Sequence, residues 1–190
     1  MSEQEQKPKK ESKQKASSAK SEKEENSAPK YTGYDLDYFI SPRDIGKAVR
    51  KMDESAYFLE DIACLDIEEG FELVYHFDRY HQPGRVGLRV LVPKENPQVP
   101  TISSIYPGAD WHERECYDFF GIEFKDHPNL IHLLLDAEFE EPPPLLKEES
   151  SRRELQQICP DREYTPISVE SDDFIQAIRN CSKAKSRDET

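Results

Sequence analysis

Reactive side-chain types are densest between Asp110 and Leu135, in the run DWHERECYDFFGIEFKDHPNLIHLLL. His112, Glu113, Glu115 and Asp118 have the chemistry of general acids and bases or of metal ligands, and His112 and Cys116 stand one helical turn apart. A plainer reading competes at each position. Glu113 follows Asp110 in a D-x-x-E capping arrangement, and Arg114 neutralises a neighbouring carboxylate. The chain has no C-x-x-C pair, no nucleophile elbow and no phosphate-binding glycine loop among its 7 Gly. With so few role-bearing parts, a docking surface is favoured over an active site, and no catalytic, cofactor-binding or metal-binding residue is expected.

Helical placement sharpens that choice. At about 100° per residue, Cys116, Tyr117, Phe119 and Phe120 share one arc with Glu113 inside it, while Trp111, Arg114, Glu115 and Asp118 share the other. An indole between an arginine and two carboxylates is a poor solvent face, and Trp and Arg are favoured interface anchors. Arg114 and Asp118 are expected to pair across one turn. Gly121 is placed to end the helix. Beyond it, Ile122 and Phe124 read as extended, and His127 is biased away from helix by Pro128. The run Leu130–Leu135 is apolar on nearly every side except at His132, which calls for cover that a small core cannot supply. Another protein is expected to provide part of it.

The elements that must position this stretch follow from the rest of the chain. The formal net charge of −13 makes nucleic acid and anionic lipid poor main partners. Residues 1–30 contain no Val, Ile, Leu, Phe, Tyr or Trp and read as a disordered charged leader. Cys64, Cys116, Cys159 and Cys181 are isolated, which suits reduced thiols in the cytoplasm, and the longest apolar run is far too short to cross a bilayer. Ser41 and Pro42 open a helix whose buried face is Ile45, Ala48, Val49 and Met52. Three strands follow, a rough one from Leu59 to Ile67 and two that alternate cleanly, Phe71–Phe77 and Arg85–Val92. Glu72, His76 and Asp78 are expected on a solvated face, and His76 is read as a solvated side chain. Pro93, Pro97 and Pro100 punctuate a link to a helical turn at Ile102–Tyr106. Short connections favour a meander. The fold class is therefore α+β, a small antiparallel or mixed sheet covered by helices, with an extended C-terminal arm.

Residues 31–135 form the domain, and 136–190 an acidic and helical tail. Within the tail, Glu138–Glu149 with its three prolines is a connector, Arg152–Ile158 forms two helical turns, and Ser171 caps a helix striped by Phe174, Ile175, Ile178 and Cys181.

One pattern in the central stretch carries a family resemblance. W-x-E-R-E-x-Y-D-x-x-G-I-x-F-x-x-H-P-x-L, present as Trp111, Glu113, Arg114, Glu115, Tyr117, Asp118, Gly121, Ile122, Phe124, His127, Pro128 and Leu130, resembles the signature of the 30-kDa subunit of respiratory complex I, the bacterial NADH:quinone oxidoreductase. The resemblance covers about residues 35–140. It implies a peripheral subunit without flavin or iron–sulfur cluster, with FMN and Fe–S clusters housed in partner subunits. Such a subunit sits in the hydrophilic arm on the cytoplasmic face of the membrane, against the 49-kDa-type quinone-side subunit. The signature residues, apart from Ile122, are then the expected interface. The same family includes subunits of deazaflavin-dependent dehydrogenases and of membrane-bound energy-converting hydrogenases. The family places two arginines after H-P-x-L, where this chain has Ile131 and His132, and a Pro-Leu-Arg-Lys-Asp segment where it has Pro144-Leu145-Leu146-Lys147-Glu148.

Overall fold

The computed structural model of the protein describes residues 33–82, 84–160 and 164–181; the leader expected over 1–30 lies outside the described residues. Four strands form the main sheet: β1 (Leu36–Phe39), β2 (Phe58–Ile67), β3 (Gly70–Asp78) and β4 (Val86–Val92). Their order is β1-β4-β3-β2. The expected meander is β2-β3-β4, antiparallel throughout, and β1 adds to its β4 edge in parallel, which makes the sheet mixed. Sequence periodicity does not reveal β1, because its four residues are too few to show alternation. The rough pattern of β2 has a local cause, a register shift between Leu59 and Asp61.

Phe71, Leu73, Tyr75 and Phe77 line one face of β3 and meet Ile45, Ala48, Val49 and Met52 of α1 (Ile45–Glu54) in the main core. Ser41 does not cap with its hydroxyl. Pro42–Asp44 wind a 3-10 turn instead, and the Asp44 N–H bonds to the Ser41 carbonyl at 2.9 Å. The opposite sheet face departs from expectation. Glu72 and Val74 are buried, and His76 is largely enclosed between Tyr34 and Asp61. The Arg89 guanidinium satisfies the charge on this face, with Nε 2.7 Å from Asp37 and Nη1 2.6 Å from Glu72.

The C-terminal segment explains that burial. α3 (Leu155–Ile158) and Tyr164 cover Phe39, Leu65, Ile67 and Leu91 in a second apolar cluster. Buried Asp66 anchors the approach by accepting the Lys147 N–H at 2.8 Å and pairing with Lys94 at 2.7 Å and Arg152 at 3.1 Å. α4 (Asp172–Asn180) is capped by the Ser171 hydroxyl, as its sequence predicts. Its Phe174 and Ile178 enter the main core, where the Tyr57 hydroxyl donates to the Ile178 carbonyl at 2.8 Å. Residues 155–181 thus fold back on the sheet, while most of 136–150 stays exposed.

A second, two-stranded sheet pairs β5 (Gln98–Pro100) with β6 (Glu123–Lys125) in parallel. A parallel pair needs a crossover between its strands, and here the crossover contains α2 (Ala109–Phe120).

Candidate functional site

α2 begins just after Pro107 and Gly108, with Gly108 at the N-cap and no side-chain capping bond. The expected D-x-x-E cap therefore does not form. Asp110 falls inside the first turn and pairs with Arg114 at 3.6 Å. Glu113 points into the body of the protein, where Oε1 accepts the Ile102 N–H at 2.7 Å and Oε2 accepts the Thr101 hydroxyl. Burial pushes its carboxyl up to about 7, against the lowering effect of those two bonds. The side chain of His127 is also buried, with Nε2 3.7 Å from Glu113 Oε2. At the other end, Gly121 adopts φ +73° and ψ 24°, and its N–H closes on the Tyr117 carbonyl at 2.9 Å. This left-handed stop is the one the sequence predicts.

The outward face grips the backbone of residues 131–135. Arg114 donates from Nε to the Ile131 carbonyl and from Nη2 to the His132 carbonyl, both at 2.9 Å. Asp118 Oδ2 accepts the N–H groups of Leu133, Leu134 and Leu135 at 3.0, 2.7 and 3.1 Å. Its Oδ1 meets His132 Nδ1 at 2.8 Å. The expected ion pair between Arg114 and Asp118 is not made; both residues hold this strap instead. Burial raises the Asp118 carboxyl, but the bonds from Leu134, His132, Leu135 and Leu133 outweigh it and hold the pKa below the ordinary value. His132, at a position where the family has arginine, also packs against Tyr117 at 5.4 Å between ring centres.

The expected interface residues therefore separate. Glu113, Asp118 and Phe124 are buried, and Leu130 packs against the main core. Glu115 and Pro128 are exposed, while Tyr117, Gly121 and His127 are intermediate. Trp111 is 68% exposed on the helix, and the strap presents Ile131 at 56% and Leu134 at 63%. Three large apolar side chains thus flank the Arg114 clamp. Sequence reasoning missed Thr101 and Ile102 as partners of Glu113, because nothing local links residues eleven or twelve positions apart across a turn. Cys116 is buried with Sγ 3.9 Å from the Ile62 carbonyl, so it does not join His112 in a ligand pair. Among the described residues no group of three or more His, Cys, Asp or Glu is arranged to hold a metal ion, and no helix is long and apolar enough to cross a membrane.

Comparison with known proteins bears on the same region. The family model for the respiratory-chain NADH dehydrogenase 30 Kd subunit matches residues 39–154. The NADH-quinone oxidoreductase C-type subunit of Roseiflexus sp. (strain RS-1) is 36% identical over 113 residues, 56% of this chain and 65% of that protein. Its counterpart of the same name from Maricaulis maris (strain MCS10) is 49% identical over 72 residues, 38% of this chain and 36% of that protein. The chain thus spans less than two thirds of the length of these relatives. The solved trypsin-resistant fragment of Nqo5 is 30% identical, with a TM-score of 0.45, covering 48% of this chain and 80% of that one. The family match runs from the last residue of β1 through the strap to the connector before α3, with the Trp111–Leu130 motif inside it, and the chain belongs to the respiratory-chain NADH dehydrogenase 30 Kd subunit family.

Proposed function

We propose that this chain is a non-catalytic structural subunit of the hydrophilic arm of an NADH:quinone oxidoreductase, seated against the 49-kDa-type quinone-side subunit on the cytoplasmic face of the membrane. The whole complex passes electrons from NADH, through FMN and iron–sulfur clusters in partner subunits, to quinone while translocating protons. This chain holds a neighbour in place and carries none of those groups. The relatives named as subunits of NADH-quinone oxidoreductase support the complex.

One observation supports the docking role above all. Trp111, Ile131 and Leu134 are exposed on backbone that Arg114 and Asp118 immobilise with five hydrogen bonds to main-chain atoms. Large apolar side chains on an already ordered backbone favour association, because little conformational entropy remains to be lost on binding. The strap also accommodates the departure from the family arginines. His132 meets Asp118 through its imidazole, and Ile131 needs only its carbonyl to engage Arg114.

The test is the double variant Trp111→Ser, Leu134→Ser in the complete complex. The chain itself should fold normally, since both side chains already face solvent. Co-purification with partner proteins and NADH:quinone turnover should fall together. A complex with its full complement of partners and wild-type turnover would overturn the proposal. So would a fully assembled complex that had lost turnover, because that pattern belongs to a chemical role.

A further inference from the structure

The docking role uses the outer face of α2 and leaves its inner face unexplained. Glu113 and His127 meet there, both with side chains fully enclosed. Ring chemistry settles the imidazole tautomer. His127 Nδ1 accepts the Asn129 N–H at 3.1 Å, so it carries no proton and the neutral ring bears its hydrogen on Nε2. That Nε2 is buried and has no hydrogen-bond partner, although Glu113 Oε2 is only 3.7 Å away. A buried donor just short of an acceptor is costly to leave unmade.

Two bonding patterns are available to this cluster. With Glu113 ionised, the Ile102 N–H, the Thr101 hydroxyl and the imidazole N–H are three donors converging on one carboxylate. With Glu113 protonated, its O–H turns to Thr101 Oγ1, which passes its own hydrogen to Ser103 Oγ at 2.8 Å, and the imidazole loses its acceptor. The groups facing Glu113 are Asp110 and Cys116 on α2, Tyr75 on β3 and His127 on the turn after β6. Its one ion-pair partner among the described residues is His127.

We propose that Glu113 and His127 form a proton-dependent latch that pins the 126–129 turn, and the start of the strap beyond it, to α2 when the carboxylate is ionised and releases them when it is protonated. The latch leads directly to the strap: the Asn129 N–H rests on His127 and the Asn129 carbonyl accepts the Ile131 N–H at 3.0 Å. Burial of Glu113 places the switch close to neutral pH. The inference concerns the chain by itself and stands apart from which partner docks.

The test is amide exchange by NMR on the full chain at pH 6 and pH 8, corrected for intrinsic rates. A charge-assisted hydrogen bond gained by His127 should raise protection of the Asn129 and Ile131 amides about tenfold at the higher pH. Glu113→Gln should hold both amides at the low-pH level throughout. His127→Phe, which is read independently of how Glu113→Gln folds, should abolish the pH response at Ile131. Equal protection of the wild-type amides at both pH values would overturn the latch, as would a tenfold rise that persisted in either variant.

Discussion

Arg114 and Asp118 stand one turn apart on α2, yet each directs its charge at the backbone of the strap and not at the other. The arginine takes two carbonyls and the aspartate takes three N–H groups, so consecutive residues 131–135 are held from both polarities. A ladder partner would satisfy such a segment in the same way, but here two side chains do so. The strap can therefore lie against a helix without any strand beside it.

Asp118 is the more demanding of the two to replace. In Asp118→Ala three backbone N–H groups lose their acceptor, and we expect a loss of about 2–4 kcal/mol in urea unfolding, with amide protection at 133–135 lost first. Asp118→Asn retains one acceptor oxygen and should lose less. The pH dependence has a definite sign. The folded pKa lies below the ordinary value, so this stabilisation is fully present above about pH 4 and disappears as pH falls through the folded pKa. Acid titration of stability should accordingly be shallower in Asp118→Ala than in the wild type.

Arg89 sets up a different test on the other sheet face. Its guanidinium bridges Asp37 and Glu72, and Glu72 is buried. Arg89→Met should cost about 3–5 kcal/mol because it strands the Glu72 charge. Adding Glu72→Leu should recover much of that loss, since apolar residues of similar volume often replace a buried ion pair without net cost. Thermal and urea denaturation of the single and double variants measure both effects.

Gly121 tests the helix stop. At φ +73° an L side chain is strained, and a Cβ there would also meet Pro143 Cγ at 3.1 Å. Gly121→Ala should lower stability by about 1–2 kcal/mol. Gly121→Asn should cost less, because Asn tolerates the left-handed region better than Ala. The ordering of melting temperatures, Gly above Asn above Ala, is the readout.

Much of this architecture was legible from short-range pattern. The face of α1 read from Ile45, Ala48, Val49 and Met52, strands β2 to β4, the Gly121 stop and the Ser171 cap all arise from residues within a turn or two of each other. The Trp111–Leu130 motif likewise pointed to the family, because a dozen positions in fixed order leave little room for coincidence. Periodicity also identified Glu72 and Arg89 as one side of the sheet, but it had no means of showing that a segment some 70 residues later would cover that side.

The same limit governed the central helix. The types and spacing of Glu113, Arg114 and Asp118 marked a charged, aromatic stretch that needed partners, and they offered local partners that were stereochemically reasonable. Only the tertiary structure decided that Glu113 turns to Thr101, Ile102 and His127, and that Arg114 and Asp118 turn to 131–135. The physical reason is that a buried charge is satisfied by whichever donors the packed chain brings to it. Hydrophobic period orients a helix face, but the donors and acceptors opposite that face come from loops whose positions are set by the whole fold.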